Sequence, residues 1–193
     1  MKTTTAPLLA AALTQAAALL LAAILIGSAA HAAPDAAFEP AFQQFNRAAG
    51  GDGAAIDAAA ASFGALLAAE PTSPVLMAYA GAATAMKART TWLPWKKMSY
   101  AEDGLAQIDK ALALLTPADD APRQHGVPGT LETRFIAANT FLAVPGFMNR
   151  GERGAKLLAQ VTSSPLFASA PRGFRERVLQ RAAKLAADQG GAK

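Results

Sequence analysis

SPVLMAYAGAATAM, residues 73–86, carries a helix start, an inward face and the small residues that let helices approach one another. Ser73 offers a capping hydroxyl directly before Pro74, whose ring already holds a helical φ and whose missing N–H costs nothing in a first turn. Leu76, Tyr79, Ala80, Ala83 and Met86 or Lys87 then recur at helical spacing. Alanine buries little area per residue, so such a helix contributes to a core by close approach rather than by bulk.

The same pattern extends in both directions. Asp35 to Ala48 is expected to be a first helix with Phe38, Phe42 and Phe45 on one stripe. Asp52 is expected to cap a second, carrying Ile56, Phe63, Leu66 and Leu67 separated by alanines that permit close approach, with Gly64 offering no side chain and Pro71 ending it near Glu70. After the interruption at Thr90 to Met98, Ser99 and Glu102 have the spacing of a capping box, followed by Leu105, Ile108, Leu112 and Leu115. Thr116 to Gly129, rich in proline and glycine, reads as a hinge or an ordered crossover. A fifth helix is expected from about Thr130 to Val144, and a sixth from a second capping box, Asn149 with Glu152. The last reaches about Ala187 with Phe174, Val178 and Leu185 inward. No run of β-branched residues suggests a strand, so the expected class is all-α, about six long helices in antiparallel pairs.

Composition narrows the function classes. The chain has 193 residues, 52% of them hydrophobic and 17% charged, which excludes a disordered polar chain. It contains no cysteine, so no disulfide, thiolate nucleophile or sulfur-ligated metal is expected. Lys2, the uncharged run Pro7 to Ile26 and the Ala30-His31-Ala32 triplet together read as an export signal over residues 1–32, cleaved before Ala33. A retained membrane anchor is the alternative for this run. Cleavage would leave one helical domain, 33–193, in the periplasm or secreted. Without Lys2 it has 17 basic and 14 acidic side chains, a formal charge of +3. That modest excess, spread along an exported chain, speaks against nucleic acid as a partner. His125 would be the only histidine left, so neither a multi-histidine metal centre nor any other cofactor is expected.

A partial repeat adds a resemblance. The second and fourth helices both end in small residues and a proline, Pro71 and Pro117, 46 residues apart. Ala101 to Pro117 resembles the second helix of a tetratricopeptide repeat, and Tyr79-Ala80-Gly81 resembles part of a first helix. The period exceeds the usual 34 residues, and the tryptophan and glycine signature is incomplete. The likeness runs over about Phe42 to Val161, with the Thr90 to Met98 and Thr116 to Gly129 segments accounting for the irregular period. It implies stacked antiparallel helix pairs, a concave surface for a peptide or protein partner, and usually no catalysis. An irregular alanine-rich bundle fits the same periodicity.

Trp92 and Trp95, with Lys96 and Lys97, form the most unusual local feature. They are the expected partner-binding residues, continued by Arg134 and Asn139 on a neighbouring helix. Two other readings stand beside this one. The indoles and lysines could sit at a membrane surface, or the indoles could close the end of the bundle. For a reaction, the best set is Glu132, Arg134, Asn139 and His125, converging if the loop folds back on the fifth helix. Glu132 and Arg134 diverge by about 200° on a helix, and exposed or interhelical charge is the expected role. No catalytic or metal site is therefore assigned. Oligomeric state stays open.

Overall fold

A computed structural model describes residues 32–190, with side chains from residue 36 onward. The proposed export signal falls almost wholly outside the described residues. Among those described there are seven α-helices and no strand. They are α1 (Ala32–Ala49), α2 (Ala55–Ala69), α3 (Pro74–Met86), α4 (Pro94–Ala113), α5 (Gly129–Phe141), α6 (Gly151–Thr162) and α7 (Arg172–Gly190). None of them is long and apolar enough to cross a membrane.

Helix α3 lies at the centre of the packing. Its residues Pro74 to Ala83, together with Ala85, are buried. It meets α2, α4 and α5, and the α3–α4 and α5–α6 pairs are the most extensive interfaces in the chain. Ser73 Oγ lies 3.5 Å from Leu76 N at its start, the cap expected from the sequence. The α3–α4 approach is set by glycine. A Cβ on Gly104 would collide with the Gly81 carbonyl oxygen and lie 2.6 Å from Ala85 N, while one on Gly81 would lie 2.7 Å from the Gly104 oxygen. Gly154 works similarly for α6 against α5, where a Cβ would come within 2.8 Å of the Leu142 side chain and 3.1 Å of the Ala138 oxygen.

Bulk is supplied by aromatics packed on this small-residue centre. Phe63 stacks on Tyr79 at 4.6 Å between ring centroids, and Phe38 and Phe45 meet Tyr79 edge-on at 5.6 Å and 4.9 Å. The stripe expected on the first helix is thus largely inward, with Phe42 half-buried beside it.

Several local expectations are corrected. Helix α4 begins at Pro94 rather than Ser99, because a proline after the extended Leu93 starts a helix instead of interrupting one. Ser99 therefore lies inside α4 and bonds Asp103 at 3.1 Å rather than capping with Glu102. Asn149 adopts a left-handed φ of 54° and closes a short 3₁₀ turn, so α6 begins without the Asn149–Glu152 box. Asp52 Oδ1 accepts from Ala54 N at 3.0 Å, a turn just ahead of α2 instead of a cap on it. Gly64 faces open space and brings nothing close.

The segment between α4 and α5 is an ordered crossover. Asp119, buried, accepts from Thr116 N and Oγ1, both at 2.9 Å. Arg123 N donates to the Val127 oxygen at 2.8 Å, and Pro122 and Pro128 form an isolated antiparallel bridge. At the tip, His125 (φ 55°) and Gly126 (φ 68°) are both left-handed.

Backbone contact at the α3–α4 crossing makes a prediction. Gly104→Ala is expected to cost about 1–3 kcal/mol by overpacking, lowering the thermal midpoint by several degrees. Gly64→Ala, in an open helical site, is expected to be neutral or to stabilise by roughly 0.5–1 kcal/mol. Equal midpoints for the two variants would contradict the glycine contact.

Candidate functional site: a basic-rimmed groove over a buried carboxyl

Helices α1, α3, α4, α5 and α7 line a groove of about 1050 Å³, whereas α2 and α6 contribute no lining residue. The turns after α3 and α5 close its ends. Its floor is apolar, with Phe42 and Phe45 from α1, Tyr79 from α3, Phe135 and Ile136 from α5 and Phe174 from α7. Phe147, 68% exposed, and Met98 stand at its edge. Size and lining match those of ligand sites generally, which are mostly apolar with a few placed polar groups.

Two polar side chains meet at the floor. Tyr79 Oη donates to Glu132 Oε1 at 2.7 Å, joining α3 to α5. Glu132 is only 2% exposed, and its Oε2 has no hydrogen-bond partner among the described residues. Burial raises the Glu132 carboxyl to about 7, against the opposing effects of the Tyr79 hydrogen bond and of the His125 and Arg177 charges. Burial also pushes the Tyr79 phenol well up, reinforced by the Glu132 charge and hydrogen bond, so it remains a donor. The expectation that Glu132 is exposed or in an interhelical ion pair is corrected. Helix α5 packs against both α3 and α6, so more than one of its faces is inward.

His125 reaches the edge of this cluster from the crossover. Its ring packs on Phe42 at 4.7 Å and Phe38 at 5.4 Å, and its Nε2 lies 2.5 Å from Glu39 Oε2. Hydrogen bonds from Gln43 and His125 hold the Glu39 carboxyl below its ordinary range. The loop therefore docks on α1. Glu132 and His125 each bond a different partner, and Arg134, half-buried, does not line the groove.

Of the expected partner-binding residues, Lys97 and Asn139 line the groove. Trp92 and Trp95 are 82% and 67% exposed, so they do not close the bundle. Pro94, Lys97, Met98 and Ala101 form the groove-facing side of α4, which leaves Trp95 and Lys96 outside. What the sequence reading missed is a basic stripe on α7. Arg177, Arg181 and Lys184 follow i, i+4, i+7 spacing and all line the groove. That spacing was visible, but the face it belonged to was not. Arg177 also lies over the Phe42 and Phe174 rings at about 6 Å.

Among the described residues, no group of three or more histidine, cysteine or acidic side chains could hold a metal ion. No family model, curated protein or solved structure matches this chain.

The buried carboxyl gives a signed pH prediction. Below pH 4.5, the ordinary value, Glu132 is neutral folded and unfolded alike. Between 4.5 and about 7 only the unfolded chain ionises, so its contribution to stability is lost as pH rises, levelling at about 3 kcal/mol of penalty. Glu132→Gln keeps an acceptor for Tyr79 and is expected to remove this slope. Urea unfolding of both proteins from pH 4 to 8 checks it, and parallel stability curves would contradict it.

Proposed function

We propose that this chain is an exported helical module, tetratricopeptide-like in its pairing of helices, that holds a segment of a protein partner in the groove. The observation carrying this reading is the open groove with an apolar floor, lined by α1, α3, α5 and α7 and by the first two turns of α4, while α2 and α6 contribute no lining residue. A surface of this kind, built across successive helix pairs, is what the local resemblance at Tyr79 to Gly81 and Ala101 to Pro117 implies. The exposed apolar edge at Met98 and Phe147 supports it further, since large apolar groups left open beside a cleft favour a protein contact. Export rests on Lys2, the apolar run Pro7 to Ile26 and the small residues Ala30 and Ala32. Binding is favoured over catalysis because Arg134 and His125 do not line the groove, while Glu132 and His125 are each hydrogen-bonded to another residue, Tyr79 and Glu39.

Photo-cross-linking residues placed in the producing cell test the reading. Positions Met98 and Asn139 lie in the groove, and Glu102 and Lys110 lie outside it and are exposed. Discrete protein adducts are expected from the first two positions only. Adducts that are absent from the groove, or equal at all four positions, would remove the proposal.

A second reading is favoured by one observation, the exposure of Trp92 and Trp95 beside Lys96 and away from the groove. An indole pair with a flanking cation suits the interfacial layer of a membrane. Under this reading the protein is a membrane-surface accessory. It is then expected to float with anionic vesicles, and Trp92→Ala with Trp95→Ala is expected to abolish flotation. Failure of the unaltered protein to float eliminates this reading.

A further inference from the structure

Away from the groove, several cations reach carboxylates: Arg150 and Arg153 both reach Asp109, Arg172 reaches Glu176, Arg123 reaches Asp119 and Lys87 reaches Asp57. The groove gathers a separate set of cations. Arg89, Lys97, Arg177, Arg181 and Lys184 line it, yet among the described residues no carboxylate forms an ion pair with any of them. The acids that share the lining are Asp188 near the end of α7 and Glu132, which is sealed beneath the floor. Five unpaired cations around a low-dielectric cleft repel one another and focus a positive potential into it, an arrangement complementary to an anionic occupant.

We infer that the groove takes an acidic amphipathic helix of a protein partner, with its apolar face on the aromatic floor and its carboxylates against the basic stripe of α7 and the Arg89–Lys97 wall. This inference rests on the binding reading above and specifies the chemistry of the occupant.

Geometry supports a helix over other anions. A helix about 10 Å across and about 13 Å long, roughly nine residues, has the volume of the groove. From Arg177 to Lys184 the α7 stripe rises about 10 Å, nearly two turns, so carboxylates spaced three and four residues apart on a docked helix would meet it in register. A fatty acid has a single carboxylate to offer five separated cations. A bilayer surface is too flat to reach Tyr79 and Phe135 at the floor of a cleft. Helix in groove is also an established way for an apolar cleft to read a partner, through side chains at i, i+3, i+4 and i+7.

The test uses the full chain and three fluorescent 14-residue helical peptides with one leucine-rich face. They differ only in the flanking positions, which carry glutamate, glutamine or lysine. Titration by anisotropy is expected to show the glutamate peptide binding at least tenfold more tightly than the other two, with affinity falling as salt rises. Arg181→Glu with Lys184→Glu, both at the groove edge of α7, is expected to weaken the glutamate peptide at least tenfold and to strengthen the lysine peptide. That second effect cannot come from misfolding. Equal affinity for all three peptides would overturn the acidic specificity while leaving the groove reading intact. Binding of oleate or of phosphatidylglycerol vesicles that depends on Arg181 and Lys184, without binding of the glutamate peptide, would overturn the helix as occupant. Binding of no peptide overturns this inference, and the cross-linking at Met98 and Asn139 decides separately whether the groove is used at all.

Discussion

The packing depends on backbone meeting backbone where Gly81 of α3 faces Gly104 of α4. A helix of alanine and glycine has too little side-chain area to drive burial by itself, so its contribution comes from dispersion at close range. That proximity makes α3 a common surface for α2, α4 and α5. The large side chains of the core, Phe38, Phe63, Phe141 and Phe174, come from neighbouring helices. Small residues at the centre and large ones around it reach high density without strain on either.

This distribution explains why the groove has the floor it has. Tyr79 is the one large aromatic in α3, and it serves the core and the groove at once, stacked on Phe63 on one side and bonded to Glu132 at its hydroxyl. A buried phenol needs an acceptor, and a buried carboxyl is tolerable only when it is neutral or well partnered. The pair meets both needs through Oε1 and leaves Oε2 without a hydrogen-bond partner among the described residues. The groove thus combines an apolar floor, one proton-sensitive group beneath it and cations at its edge.

Much of the fold was legible in the sequence because helix periodicity is local. The Phe38–Phe42–Phe45 stripe and the Ser73–Pro74 start both follow from spacing within a few residues. Errors arose where two local signals competed. Ser99 with Glu102 resembles a cap as strongly as Pro94 does, and only tertiary context chose Pro94. Asn149 suits both a cap and a left-handed turn, and the structure uses the second. The site was less legible for a different reason. Tyr79 and Glu132 are 53 residues apart, and no periodicity links them. Nothing local to α5 reveals that it packs on both α3 and α6, which is what buries Glu132 instead of leaving it as exposed or interhelical charge. On α7 the spacing from Arg177 through Arg181 to Lys184 is local, but the groove it faces is built by helices distant in sequence.

Helix α7 is anchored unequally along its length. Phe174 and Val178 are its buried residues; Arg175, Arg181, Ala182 and Leu185 are half-covered, and the other positions to Gly190 are exposed. The cationic stripe therefore sits mostly beyond the last firm anchor, opposite walls rooted in the core. Contacts this sparse leave the distal turns of the helix with little burial to oppose local opening. On the binding reading proposed above, one wall of the groove is rooted in the core and the other is less firmly held, so part of the association free energy of an occupant would go into stilling that arm.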